Sequence, residues 1–165
     1  MTLDIATLSS WIGKTETMQE QLSPELVGRF NATLGSDFSV AVGEPAPLLI
    51  HLCLAQPALP ADQLGEDGHP RRGGFLPPVP LPRRMWAGGE MTFLGPLPIG
   101  AQVKRHSTIS NIEEKQGNSG RLCFVTVQHE ITADGTSAVR EQQHIVYRDP
   151  PASGTVIPDA AAPAE

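Results

Sequence analysis

The chain has 165 residues, 39% of them hydrophobic and 18% charged, and a formal net charge of -6. Such a length suits one domain with a core of its own, and such an apolar content excludes disorder throughout. The acidic balance argues against a nucleic-acid binder, which carries a basic footprint, and no apolar run approaches the ~18 residues of a membrane span.

The N-terminus, MTLDIATLSSWIGKTE, has neither the basic start nor the long apolar stretch of a secretion signal, so a cytoplasmic, reducing setting is expected. Thr2 or Asp4 can cap a short helix that runs through Trp11 and ends at Gly13. Lys14 to Leu22 alternates weakly, as a first strand does. A clear helix start follows. Ser23 is a good N-cap, Pro24 suits the first helical position, and Glu25 sits near the positive helix end. Leu26, Phe30 and Leu34 recur at i, i+4 and i+8 with Val27 beside them, and Gly35 is placed to end the helix.

Pro45 to Ala55 (PAPLLIHLCLA) is an apolar run broken by His51, short enough for a buried strand or for a turn or two of helix. Cys53 here and Cys123 in RLCFVTV lack any Cys-x-x-Cys spacing, so both are expected as buried, reduced thiols. Residues 56–85 are rich in Pro and Gly, and DGHPRRGGFLPPVPLPRRMWAGGE (67–90) carries two arginine pairs. Arg71, Arg72, Arg83, Arg84, Lys104 and Arg105 are six of the 12 Lys and Arg, and Glu90 is the one acid between positions 71 and 105. A basic patch on an acidic chain suits a small anionic ligand; the alternative is a solvated loop with scattered surface ion pairs.

Four strand-like runs follow, at 86–97, 101–113, 121–132 and 137–148. The second sets Val103, Arg105, Ser107 and Ile109 against Lys104, His106 and Thr108. EKQGNSG (114–120) reads as a turn-rich loop, and Ala133-Asp134-Gly135 as a hairpin. Successive strands with short connections predict an antiparallel meander with the helix before it, an α+β fold. His106, His129 and His144 fall on separate strands without metal-ligand spacing and are expected on polar faces. The tail, DPPASGTVIPDAAAPAE, reads as a linker or disordered end, giving a domain over 1–149 and a Pro/Ala-rich segment over 150–165.

WIGKTET, the run GEDGHPRRGGFLPPVPLPRRMWAGGEMTF, PLPIG, KRHSTI, FVTVQHEI and HIVYRDP together resemble the N-terminal half of the MaoC-like acyl-CoA hydratases, in particular the mesaconyl-C4-CoA and itaconyl-CoA hydratase group. The resemblance runs from Trp11 to Arg148, and its long loop motif is the specific part. It implies a hot-dog fold, a curved antiparallel sheet packed on a helix. It also implies the first of two tandem hot-dog repeats, the one that lacks the catalytic residues. The family signature, Asp or Asn followed five positions later by His, is absent from this sequence. One departure is LLIHLCL, where His51 stands without the flanking aromatics the family often has.

The resemblance therefore implies a non-catalytic half of a hydro-lyase that adds water to a short, branched, dicarboxylic enoyl-CoA. The coenzyme A thioester would be substrate, with no cofactor and no metal. The partner would be a second, catalytic hot-dog domain, in the same chain or in a separate subunit, within a homo- or hetero-oligomer. A stand-alone acyl-thioester-binding or structural module without turnover is the alternative. In the loop, Arg71, Arg72, Arg83 and Arg84 can grip coenzyme A phosphates, because guanidinium forks match phosphate oxygens. His69 can act as acid, base or phosphate donor, or can simply belong to the Asp67-Gly68 turn. Trp86 and Met85 can wall a ligand channel or belong to the core, and Gly88-Gly89 can admit a thioester or mark a bulge. On this reading the loop is ordered and lines a thioester site.

Overall fold

In the computed structural model, residues 3–117 and 120–150 are described. The order is α1 (Ile5–Ser9), β1 (Thr15–Gln21), α2 (Pro24–Leu34), two 3-10 turns (Ile50–Cys53 and Ala61–Gln63), β2 (Arg83–Phe93), β3 (Gln102–Gly117), β4 (Gly120–Ala133) and β5 (Thr136–Arg148). Asp4 caps α1 through its carboxylate, which accepts from the Thr7 amide. Ser23 caps α2 by accepting from the Leu26 amide, and Gly35 ends it in the left-handed region at φ 64°.

The strands form one antiparallel sheet in the order β1-β3-β4-β5-β2. This corrects the meander. β3, β4 and β5 follow one another, but β2 pairs with β5 rather than with its sequence neighbour β3. The expected loop at 114–120 is largely strand, since β3 runs to Gly117 and β4 restarts at Gly120. Polar residues there alternate against β4 across a long exposed hairpin, and their composition hid the pairing. The β4–β5 turn is as expected, with Asp134 (φ 47°) and Gly135 (φ 84°) both left-handed. The expected linker lies outside the described residues apart from Pro150.

One face of the sheet is covered, and its inward registers build two apolar clusters. The first joins Val103, Ile131, Ala133 and Val139 to Leu22, Ile50, Leu54 and Val27, with Leu26 and Phe30 of α2 packed against it. The second joins Ile109, Ile112, Cys123, Val125, Val127 and Tyr147 to Leu3, Leu8, Val79 and Leu81. The helix thus roofs one end of the sheet, and the Pro-rich loop roofs the other.

That loop is ordered for a reason visible in its burial. From Pro77 to Leu81 odd positions are buried, while Pro78, Pro80 and Pro82 are exposed. The segment behaves as an extended strand with Val79 and Leu81 facing the sheet, each fully buried side chain contributing about 1.5–3 kcal/mol. Proline restricts the unfolded chain and so lowers the entropy lost on ordering. Proline also offers no amide donor, so the segment cannot join a ladder.

Candidate functional site

The loop arginines divide into two kinds. Arg72 lies over the Tyr147 ring, its guanidinium carbon 5.1 Å from the centroid. It donates to the carbonyls of Val79 (2.8 Å), Leu81 and Pro82 (2.6 Å). One planar fork therefore supplies the donors that a paired strand would otherwise supply to the Pro-rich segment. Arg84 pairs with Asp67 at 2.8 Å, and its Nε donates to the same carboxylate at 3.0 Å. Burial would raise the Asp67 pKa, but the His69 amide and the Arg84 charge outweigh it and hold the carboxyl below its ordinary range. These two arginines pin the loop to the sheet.

Arg71 is exposed; its Nε donates to the Leu64 carbonyl at 3.3 Å and its amide to the Gln63 carbonyl at 3.1 Å. Arg83 is exposed and makes no ion pair among the described residues. It lies directly opposite Arg148 across β2–β5. Like charges in that relation repel unless an anion lies between them. His69 is exposed in the turn, its amide 3.3 Å from the Asp67 carboxylate and its carbonyl accepting from Gly65.

Trp86 is 65% exposed and Met85 41%, so neither belongs to the core; both lie on edge strand β2. The ladder slips between Trp86 and Gly88, placing a bulge at the glycine pair. Gly89 is fixed by close approach, since a methyl carbon there would fall 2.5 Å from the Gln142 carbonyl oxygen.

The covered face also holds a polar feature that no single sequence motif announces. Between the two apolar clusters the inward register turns polar on three adjacent strands: Arg105 and Ser107 on β3, His129 on β4, Glu141 and Gln143 on β5. His51, from the 3-10 turn above, closes this stripe with its Nε2 3.7 Å from the Glu141 carboxylate. Ser107, His129, Glu141 and His51 are all buried. Ser107 Oγ lies 2.8 Å from His129 Nδ1, and the Gln143 amide donates to Glu141 at 2.7 Å. Arg105 donates to the Ala55 carbonyl at 2.7 Å, while the Ala55 amide donates to Glu20 at 2.7 Å.

Two features set the stripe apart from an ordinary buried network. Both ring nitrogens of His51, Nε2 of His129 and Nε of Arg105 are buried without a hydrogen-bond partner of good geometry among the described residues. Each such group costs about 1–3 kcal/mol. The turn carrying His51 is also bracketed by two left-handed non-glycine residues, Leu49 (φ 70°) and Ala55 (φ 53°). Backbone strain of that kind gathers at functional sites.

Burial pushes the pKa of His51 down; Glu141 opposes the shift and Arg105 adds to it. Burial likewise lowers His129, against Glu141 and the Gln143 amide and with Arg105 and His51. Both rings therefore give up their protons more readily in the fold than in the unfolded chain, which binds protons first as pH falls. Stability is thus full above the ordinary histidine pKa near 6.5 and declines as pH drops below it, by up to about 1.4 kcal/mol per pH unit for each ring. Urea unfolding between pH 5 and 7.5 checks this. A midpoint that stays level over that range would contradict it, and His51→Phe is expected to remove part of the slope.

The sequence signal for the stripe was present. Each inward register reads apolar, polar, apolar, as in Val103-Arg105-Ser107-Ile109 and Val127-His129-Ile131. Taken one strand at a time, the histidines are expected on polar faces. His106 and His144 do lie half-buried beside Thr17 and Thr126, but His129 points inward. Cys53 is also corrected: it is exposed at the end of its 3-10 turn, while Cys123 is buried, its thiol pKa pushed up to about 11 by burial.

The profile of the family described as hydroxyacyl-thioester dehydratase type 2 matches residues 49–165. The mesaconyl-C(4)-CoA hydratase of Chloroflexus aurantiacus is 42% identical over 142 residues, 86% of this chain and 51% of that protein. The chain thus spans about half the length of the curated relative it matches. Among solved structures, a chain of the ChsH1–ChsH2 complex of Mycobacterium tuberculosis superposes with a TM-score of 0.63 at 14% identity, covering 95% of this chain and 96% of that one. The MaoC-like dehydratase of Rhodospirillum rubrum superposes with a TM-score of 0.54 at 15% identity, covering 85% and 94%.

Proposed function

Because the chain belongs to the hydroxyacyl-thioester dehydratase type 2 family and has the hot-dog fold, we propose that it is the non-catalytic half of an enoyl-CoA hydratase. The observation that carries this is the relation to the Chloroflexus aurantiacus hydratase, which matches 86% of this chain with only 51% of its own length. The absence of the Asp/Asn-to-His signature agrees with it. The substrate class is a short, branched, dicarboxylic enoyl-CoA of the mesaconyl-C4-CoA or itaconyl-CoA kind. No helix among the described residues is long and apolar enough to cross a membrane.

The second hot-dog domain, in the same full-length chain or a separate subunit, supplies the catalytic acid and base. It docks on the outer edge of β2, which has an open side in the strand order and exposes Met85, Trp86 and Phe93. Arg83 and Arg71, both exposed, take phosphates of coenzyme A, while Arg72, Arg84 and His69 hold the loop that presents them. Trp86 and Gly88 line the junction between the thioester and the partner domain.

The test is a hydration assay with mesaconyl-C4-CoA. The 165-residue chain alone is expected to give no enzyme-like turnover, and mixing it with the second domain to restore it. Arg83→Ala then weakens coenzyme A binding about tenfold, the loss of one charge-assisted contact. Turnover by the chain alone would refute the non-catalytic assignment.

A further inference from the structure

On the reading of the chain as half of an acyl-thioester hydratase, we propose that His51, Arg105 and His129 form the subsite for the oxygen-bearing end of the acyl group. They make this half choose carboxyl-bearing over alkyl thioesters. The polar stripe crosses the middle of the covered face, with an apolar cluster on either side. An alkyl chain lying there would leave the stripe's nitrogens unpartnered. Arg105 Nε can only donate, and each neutral imidazole offers a donor at one nitrogen and an acceptor at the other. A carboxyl oxygen satisfies several of these groups at once.

The surroundings of the stripe agree with this role. The His51 ring meets the Phe93 ring edge-on, with centroids 6.1 Å apart, and Phe93 is 41% exposed on β2. One side chain therefore separates the stripe from the edge assigned to the second domain. On the far side, Arg105 contacts Ala55 and Met18, which line an open groove with Glu20, Gln56, Pro57 and Leu59. Glu141, held by Gln143, offsets the charge of Arg105, so the subsite favours a carboxyl group that shares a proton with His51.

The experiment is titration calorimetry of the 165-residue chain, alone and with the second domain, against succinyl-CoA and butyryl-CoA. These differ in a terminal carboxylate against a methyl group. The wild type is expected to prefer succinyl-CoA by about tenfold or more, because a site built to hydrogen-bond a group rejects the analogue lacking it. Arg105→Met and His51→Phe each bring the ratio to about one through loss of succinyl-CoA affinity, with far-UV circular dichroism and a cooperative thermal melt showing that each variant is folded. Equal wild-type affinity for the two thioesters, or a preference that survives both substitutions, would overturn the subsite and leave the hydratase reading standing. Failure of both thioesters and of coenzyme A itself to bind would overturn the two together.

Discussion

Replacing Arg72 with Ala is expected to lower stability by about 3 kcal/mol, a shift of roughly 6–12 °C in Tm for a chain of this size. Three carbonyls of the Pro-rich segment, those of Val79, Leu81 and Pro82, take their hydrogen bonds from this one guanidinium. Hydrogen bonds to a charged donor are worth about 1.5–3 kcal/mol each before water compensates the exposed ones. The substitution also uncovers Tyr147, otherwise fully buried under the arginine plane. Lys at position 72 is expected to restore little, since a point charge on a flexible stem cannot bridge three acceptors held in a row. Thermal melts and chymotryptic cleavage at Phe75 check this together. An Arg72→Ala protein that melts within about 2 °C of wild type, with Phe75 still protected, would show that the loop is held by packing alone.

Glu141→Ala is expected to destabilise by about 3 kcal/mol or more, the scale for removing one partner from a buried charged group. Gln143 loses its acceptor, and the carboxylate that steadies His51 and His129 disappears while Arg105 remains. Both histidine pKa values then fall further, because the effect that opposed burial is gone. The sign follows from linkage. Deeper depression widens the window below about pH 6.5 over which stability is lost, so Glu141→Ala is more acid-sensitive than wild type and not merely weaker. Glu141→Gln keeps the shape and is expected to be milder at pH 7.5 yet to share the altered pH slope. Urea midpoints for both variants at pH 5.5 and 7.5 decide it. Parallel losses at the two pH values would remove Glu141 from the electrostatics of the stripe.

Local chemistry was legible in the sequence wherever one residue type dictates one geometry. Ser23, Pro24 and Gly35 bound α2, Asp4 opens α1, and Asp134-Gly135 turns the last hairpin. Strand order was not legible in this way, because pairing of β2 with β5 joins segments some 50 residues apart and no local signal records it. The two arginine pairs could be seen as a cluster, but not their division of labour. That depends on where the prolines leave carbonyls without donors and on which carboxylate folds back, here Asp67. The stripe was written into three registers at once, and becomes a site only when the ladder sets Ser107 opposite His129 and His129 opposite Glu141. Cys53 is exposed at the end of a 3-10 turn that lies between the left-handed Leu49 and Ala55, a conformation that composition does not announce.

The Pro-rich roof also guards the chain against self-association. An apolar extended segment beside an open sheet edge is ordinarily an aggregation hazard, since exposed β-prone stretches recruit copies of themselves. Here four of the six residues from Pro77 to Pro82 lack an amide proton. The segment can seal a core, but it cannot template a fibril or zip onto the edge of a neighbour. The open edges of the described sheet are then β1 and β2, and the bulge at Gly88 twists β2 out of a flat pairing geometry. The chain thus carries its own gatekeeper, built from the residues that first look like a linker.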